Sequence, residues 1–273
     1  MGMFQTRFAP SPTYYLHLGH AASALQVWRA AEKAGGRVLL RIEDIDTTRC
    51  RPEYSHAIYE DLSWLGLEWP EPVRVQSEHF GDYAACVSAL RDRGLAYRCF
   101  RTRAELNILP MPAQPGAHSA EVEARCLEEG MPFAWRLSLM AARDVLGAAW
   151  SDMSYREQTS SGLVSHAARP ERHGDIVIAR KDSPSAYHIA ATHDDALQGV
   201  THIIRGEDLI EAPHIHTLLQ ALLDWPQPIY QHHPLIIDAD GKKLSKRQKS
   251  LSLASLRSEG MTSQQIRARL GFA

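Results

Sequence analysis

The chain alternates between two hydrophobic rhythms. Residues 5–10, "QTRFAP", read as a short strand, and from residue 18 to 34 apolar positions recur at helical spacing until Gly35 and Gly36 end the run. "RVLLRIEDID" (37–46) reads as a second strand, apolar in its first half and acidic at its end. "PEYSHAIYEDLSWLGL" (52–67) and "HFGDYAACVSALRDRG" (79–94) return to an amphipathic helical period. A β-α-β-α order predicts a parallel sheet with right-handed crossovers.

The rhythm breaks after residue 96. "NILPMPAQPGAH" (107–118) has prolines and no period and reads as a loop, "SAEVEARCLEEG" (119–130) as a short helix, and "PFAWRLSL" (132–139) as a strand. Residues 174–209 read as a return to strands and turns, followed by the helix "HIHTLLQALLDW" (214–225). The expected organisation is a discontinuous α/β domain from 1–96 and 173–224. An α+β insertion spans 97–172, and a basic loop with a small helical segment fills 225–273. No internal repeat is visible.

In an open parallel sheet, ligands sit beyond the carboxyl ends of the strands. "SPTYYLHLGH" (11–20) follows the first strand there and "EDID" (43–46) follows the second, so the two should face one site. A helix opening near Gly19 offers backbone N–H groups and a positive dipole end to phosphate, and glycine lets a ligand approach the backbone. His17 and His20 can donate hydrogen bonds to developing negative charge. Read alone, they are equally a helix-capping or surface pair. Residues 241–249, "GKKLSKRQK", crowd Lys242, Lys243, Lys246, Arg247 and Lys249 around Ser245. That is either a solvated basic loop or a seat for polyphosphate or nucleic acid.

Taken together, "HLGH" and "KLSKR" resemble the paired signatures of class I aminoacyl-tRNA synthetases. "RFAPSPT", "RIEDID" and "DDALQGVTHIIRGEDL" narrow the resemblance to the glutamyl group, with five motifs in order from Arg7 to about Arg247. The resemblance implies a Rossmann-type catalytic domain. Glutamyl-tRNA synthetases continue beyond the lysine loop into an anticodon-binding domain. This sequence ends at Ala273, which is similar to the glutamyl-Q tRNA(Asp) synthetase family. Members of that family activate glutamate with ATP and Mg2+ without needing tRNA. They then esterify it onto queuosine in the anticodon of tRNA(Asp).

The resemblance also implies roles. His17 and His20 would steady the phosphates of ATP, and Lys246 would act with them from the basic loop, beside Gly19, Lys243 and Ser245. Arg7 would pair with the side-chain carboxylate of glutamate and Glu43 with its ammonium. Tyr187, Arg205, Ala9 and Ser11 would complete the amino-acid site. Without the resemblance, Arg7 and Arg205 read as strand-end surface arginines and Glu43 as one of several turn carboxylates. Two other readings stay open: glutamate activation for a different acceptor, such as ordinary tRNA(Glu), or a catalytically silent tRNA-binding paralogue.

The sequence departs from the family at two places. Tyr14 stands where glycine usually follows the "SPT" triplet, and it either narrows the pocket or swings outward. Many family members hold zinc through a C-x-C pair in the insertion. Here Cys99 is followed by Phe100 and Arg101, so zinc is not expected, and apolar packing including "PFAWRL" should hold the insertion instead.

Composition adds limits. With 30 basic and 32 acidic residues the bulk charge gives no sign of nucleic-acid binding, so RNA must be met by local patches. "RDRGLAYRCFRTR" (91–103) is such a patch, with Arg98, Arg101 and Arg103 interleaved with Tyr97 and Phe100. Four scattered cysteines fit reduced thiols in the cytoplasm. No apolar run suggests a membrane span or a signal peptide, and "MGMFQT" reads better as a lead-in to the first strand than as a myristoylation site. A monomer is the default expectation.

Overall fold

The computed structural model describes residues 3–235 and 252–272. Its first half follows the expected alternation. Strand β1 (Gln5–Phe8) leads to helix α1 (Leu18–Lys33), β2 (Arg37–Ile42), α2 (Pro52–Trp64), β3 (Arg74–Val75) and α3 (Phe80–Asp92). β1, β2 and β3 pair in parallel. The inserted segment contains β4 (Ala96–Cys99), α4 (Arg103–Asn107), α5 (Ala120–Glu128), β5 (Ala134–Leu137), α6 (Leu139–Leu146), α7 (Ala149–Asp152), β6 (Ser154–Thr159) and β7 (Gly162–Ala167). The chain then returns through β8 (Ile176–Ala179), α8 (Tyr187–Leu197), β9 (His202–Gly206), α9 (Ala212–Leu223) and β10 (Ile229–His233). Helices α10 (Leu253–Ser258) and α11 (Ser263–Arg269) come last.

The two halves of the main sheet meet where β9 lies beside β1. The Thr201 N–H donates to the Gln5 carbonyl at 2.9 Å, the Gln5 N–H donates to Thr201 Oγ1 at 2.9 Å, and Phe4 stacks on His202. Beyond β9 the order continues β10, β6, β7, with β9–β10 and β10–β6 parallel and β6–β7 antiparallel. The insertion is stitched to the main domain twice, because β6 pairs with β10 and β5 pairs antiparallel with β8. The crevice beyond the carboxyl ends of β1 and β9 is the switch point at which such sheets bind ligands.

One expected region differs. Tyr187–Leu197 is a helix, not part of a strand-and-turn stretch. Its buried face carries Ile189, Ala190, Ala191, Thr192, Asp194 and Asp195, so small and acidic residues point inward and blur the polar–apolar contrast that normally reveals a helix. The β6–β7 hairpin was also invisible, because β6 is polar apart from Tyr155 and β7 has no fully buried residue, so neither strand shows a clean apolar alternation.

Two apolar cores fill the molecule. One joins α3, α8 and α9 to the insertion strands through residues such as Tyr83, Leu137, Ile178, Leu218 and Tyr230. The other packs α1 and α2 on β1 and β2 and takes in Leu253, Leu256 and Ile266 from the last two helices. The C-terminal segment is therefore docked on the catalytic half. Arg257 adds contacts to Glu60 at 2.8 Å and Asp61 at 3.3 Å, and Arg267 Nη1 donates to the Leu65 carbonyl at 2.9 Å. Among the described residues no helix is long and apolar enough to cross a membrane.

The first of these cores buries histidines as neutral rings. Burial pulls His188 down to about 4 and His216 well below the ordinary value, while His214 and His232 also go down, chiefly through burial. A depressed folded pKa gives stability that is present above the unfolded value near 6.5 and lost as pH falls below it. Asp61 works the other way, since burial pushes its carboxyl up to about 6. The histidines outnumber it. Urea unfolding should therefore show stability falling between pH 7 and pH 5. His188→Gln should flatten that slope, with the His188 contribution on the order of 3 kcal/mol across the full window. A midpoint independent of pH over this range would contradict neutral burial of these rings.

Candidate active site

The loop after β1 and the start of α1 are fixed by histidine. His17 is the N-cap of α1, and its Nδ1 accepts from the Gly19 N–H at 3.0 Å. The His17 N–H in turn donates to His20 Nδ1 at 3.2 Å. The two rings lie 3.9 Å apart between centroids. Each Nδ1 acts as an acceptor, so a neutral ring carries its proton on Nε2. A Cβ at Gly19 would lie 2.9 Å from the His17 ring and would push that ring from its capping position. The expectation of open backbone donors at this helix mouth is thus modified. The Gly19 N–H is already taken by the His17 ring.

A buried ion cluster lies beside this loop. Arg41 is fully buried on β2. Its Nη1 donates to Asp195 Oδ1 at 2.8 Å and to Gln198 Oε1 at 3.0 Å, and its Nη2 donates to Glu43 Oε1 at 3.0 Å. Burial alone would lower the pKa of this guanidinium, but Asp195, Glu43 and Asp194 outweigh it and raise it. Arg7 Nε donates to the same Asp195 oxygen at 3.0 Å. Glu43 is 8% exposed, and burial raises its carboxyl pKa against the pull of Arg41 and Arg7. Asp194 accepts from Arg74 Nε, Gln76 Nε2 and the Tyr83 hydroxyl at 2.8–2.9 Å. Burial opposes its ionisation, yet these donors, His193 and Arg41 together lower its pKa.

Arg205 ends β9 with its guanidinium 5.2 Å from the centre of the Tyr230 ring. The β9–β10 register places it opposite His232, and its Nε donates to His232 Nε2 at 3.2 Å. With Nε2 as the acceptor, His232 donates its Nδ1–H to Glu157 Oε1 at 2.7 Å, and Glu157 Oε2 meets His166 Nε2 at 3.0 Å. Among the described residues, Arg205 Nη1 and Nη2 are buried without a hydrogen-bond partner. Such orphaned donors cost free energy unless an acceptor arrives. Tyr187 opens α8 close by, with burial raising the pKa of its hydroxyl. Behind it lies His216, whose Nε2 is also buried and unpartnered among the described residues.

These elements enclose a cleft of about 780 Å³, lined by Arg7, Ala9, Ser11, His17, Gly19, His20, Glu43, Tyr187 and Arg205 among others. Nine expected site residues from four separate stretches are thus brought together. Lys243, Ser245 and Lys246 lie outside the described residues. Tyr14 is 55% exposed, packs against Tyr54, has no positive φ and does not line the cleft.

The three expected RNA-contacting arginines lie in the insertion, away from this cleft. Arg98 pairs with Glu123 and stacks over Phe133 and Trp135. Arg101 Nη1 donates to the Gly116 carbonyl at 3.1 Å and meets His118 Nε2 at 3.3 Å, while Arg103 is exposed at the start of α4. Phe100, Phe133 and Trp135 pack edge to face, so the insertion is held by aromatic contacts together with the Arg101 clamp. Cys99 and Cys126 are both buried thiols, and among the described residues no group of three histidine, cysteine or acidic side chains is placed to hold a metal.

Sequence reasoning missed Arg41, Asp195, His232 and Glu157. Arg41 did carry a signal: an arginine inside "RVLLRI", on a strand buried on both faces, requires carboxylate partners, and "HDD" supplies them. His232 and Glu157 carried none that could be separated from the other histidines and acids.

The family model for the catalytic domain of class I tRNA synthetases (E and Q) matches residues 3–271. The chain is 40% identical to the glutamyl-Q tRNA(Asp) synthetase of Rhodobacter capsulatus, over 98% of this chain and 99% of that one. It is 36% identical to the glutamyl-Q tRNA(Asp) synthetase of Nitratidesulfovibrio vulgaris, over 99% and 86%. Among solved structures, a glutamate tRNA ligase from Elizabethkingia meningosepticum in complex with its amino acid superposes with a TM-score of 0.71 at 29% identity. That match covers 90% of this chain and 52% of the ligase, so the chain spans about half of that protein. This chain belongs to the class I tRNA synthetase catalytic-domain family of the E and Q group, and within it to the glutamyl-Q tRNA(Asp) synthetases.

Proposed function

We propose that the cleft binds L-glutamate and ATP, forms glutamyl-adenylate without tRNA, and transfers the glutamyl group to queuosine in the anticodon of tRNA(Asp). The observation that carries the amino-acid site is the pair of orphaned Arg205 nitrogens beside Tyr187, facing a cleft that also holds Arg7 and Glu43. Buried guanidinium groups favour carboxylates in a two-point geometry. Glutamate has two carboxylates and one ammonium, and the cleft lining offers the Arg7 and Arg205 guanidinium groups to the former and the Glu43 carboxylate to the latter. Glutamine would leave one guanidinium without a counter-charge, which supports discrimination against it. The ammonium would also favour the ionised form of Glu43, whose burial otherwise raises its pKa.

In the first step an oxygen of the glutamate α-carboxylate attacks the α-phosphorus of ATP, and pyrophosphate leaves with the bond electrons. The Nε2–H groups of His17 and His20 stabilise charge on the phosphates, and the basic loop with Lys243, Ser245 and Lys246 is assigned the same task. Mg2+ enters with the ATP phosphates as part of the substrate. In the second step a queuosine hydroxyl attacks the adenylate carbonyl, its proton is lost, and AMP leaves. Positioning accounts for most of the rate, since glutamate brings its own nucleophile. A tRNA acceptor fits a cytoplasmic site of action, and a monomer suffices for this cleft.

His232 acts as a positioning residue. While neutral it turns a lone pair to the Arg205 Nε–H, and once protonated it would present a second N–H there. Burial lowers its pKa against the pull of Glu157, so the KM for glutamate should hold steady down to the ordinary histidine range and climb only below it. His232→Gln should remove that acidic limb and leave the KM for ATP near its wild-type value. Arg205→Gln should raise the KM for glutamate by about ten- to a hundredfold in pyrophosphate exchange. An unchanged KM for glutamate in Arg205→Gln would contradict the assigned amino-acid site.

The acceptor is tested directly by offering labelled glutamate, ATP and Mg2+ to tRNA from cells with and without queuosine. Label should appear only on the queuosine-containing tRNA. Equal labelling of both pools would overturn the proposed acceptor.

A further inference from the structure

A second concavity, of about 380 Å³, lies in the inserted segment. Arg101, Arg103, Arg136, Lys181 and His173 line it, over a floor that includes Leu106 and Met111, and no carboxylate contributes to its wall. Three of the cations are held by backbone carbonyls. Arg101 Nη1 donates to Gly116 O at 3.1 Å, Arg136 Nη1 to Asp175 O at 2.6 Å, and Lys181 Nζ to Phe100 O at 2.8 Å. Neighbouring arginines differ: Arg98 pairs with Glu123, and Arg180 with Asp182 and Asp46. Among the described residues none of the four cations of the concavity forms an ion pair with a carboxylate. Glu105 is near enough for Arg101 and Lys181 to lower its pKa further, but its carboxylate is turned to the backbone N–H and hydroxyl of Thr102 at 2.6 and 2.7 Å. Arg136 Nε is buried and unpartnered among the described residues, which marks a missing acceptor.

Four permanent charges of one sign around a small hollow repel one another until an anion enters. Backbone anchors hold Arg101, Arg136 and Lys181 in place without neutralising them, which suits a site that must meet a phosphate. The place of the hollow narrows the choice of anion. Lys181 sits on the turn after β8, and its neighbours touch the segment that follows Glu43: Arg180 Nη1 reaches Asp46 Oδ2 at 3.3 Å, and Ser183 Oγ donates to the Ile45 carbonyl at 3.3 Å. One turn therefore borders the hollow and touches the segment that follows Glu43, a residue of the cleft.

We propose that this hollow seats a backbone phosphate of the RNA acceptor, with Arg101, Arg103, Arg136 and Lys181 as its cationic wall. The proposal rests on the reading that RNA is the acceptor. It replaces Arg98, whose charge is already paired, with Arg136 and Lys181, which a sequence patch at 91–103 does not include.

The test uses the full chain with Lys181→Met, Arg136→Gln and the charge-keeping Lys181→Arg. Binding of queuosine-containing tRNA is measured at several salt concentrations, and glutamate-dependent pyrophosphate exchange without tRNA checks that each variant is folded. Lys181→Met and Arg136→Gln should weaken tRNA binding. Each should also reduce the slope of log affinity against log salt by about 0.7–0.9, the contribution of one phosphate contact. Lys181→Arg should restore both. Wild-type affinity and slope in folded Lys181→Met and Arg136→Gln would overturn the proposal. So would saturable binding of inorganic phosphate that Lys181→Met abolishes while the tRNA slope stays unchanged, since the hollow would then be a small-anion site. Loss of pyrophosphate exchange in the wild-type protein would instead refute the activity, and the RNA-binding comparison would still decide the hollow.

Discussion

The structure of the cleft depends on one buried cation. Arg41 sits at the heart of the parallel sheet with no solvent contact, surrounded by Asp195, Glu43 and Asp194. A charge in that position is tolerable only with its partners in place, and removing one partner from such a pair typically costs about 3–5 kcal/mol. The cluster therefore behaves as a unit. It locks β2 against α8 across 154 residues of sequence. It also sets the directions of the two groups that line the cleft, since Glu43 is held by Arg41 and Arg7 shares Asp195 with it. Net stability is a poor explanation for retaining such a cluster, because a well-packed apolar core would serve as well or better. Orientation of Arg7 and Glu43 is what an apolar core would not supply.

A second polar chain repeats the same logic on the other side of the cleft. Arg205, His232, Glu157 and His166 are joined by hydrogen bonds or ion contacts from the cleft outward to the β6–β7 hairpin. Strand register alone places Arg205 beside His232, so the sheet fixes the first link before any side chain chooses a rotamer. The hairpin that supplies Glu157 comes from the inserted segment. The insertion thus contributes to the support of the cleft through Glu157, and by the proposal above to RNA contact through Arg136. The Asp194 network extends the support further, tying α8 to Arg74, Gln76 and Tyr83 on β3 and its neighbouring helices.

Much of this was legible in the sequence, and the limits have physical causes. The β-α-β-α start was readable because α1 and α2 each have one apolar face and the strand between them carries the apolar run Val38–Leu40. The meeting of "SPTYYLHLGH" with "EDID" followed from the rule that ligands lie beyond the carboxyl ends of parallel strands, and the Glu43 N–H does bond the Pro10 carbonyl at 3.1 Å. The helix at Tyr187–Leu197 escaped because its inward face is acidic and small, and it is acidic because Arg41 and Arg7 wait beneath it. Local pattern cannot reveal a pairing whose partners lie 154 or 188 residues apart. The arginine-rich stretch at 91–103 gave charge but not pairing, so Arg98 could not be told from Arg101 without the position of Glu123.

The most direct test of this account is the glutamate dependence of pyrophosphate exchange in Asp195→Asn, with thermal unfolding to establish that the variant is folded. Asparagine keeps the shape of the side chain and removes the charge that Arg41 and Arg7 share. The account predicts a KM for glutamate raised at least about tenfold, equivalent to about 1.4 kcal/mol of lost binding, with the KM for ATP nearly unchanged. A folded Asp195→Asn protein with wild-type KM values for both substrates would contradict the claim that this buried cluster aims the amino-acid site.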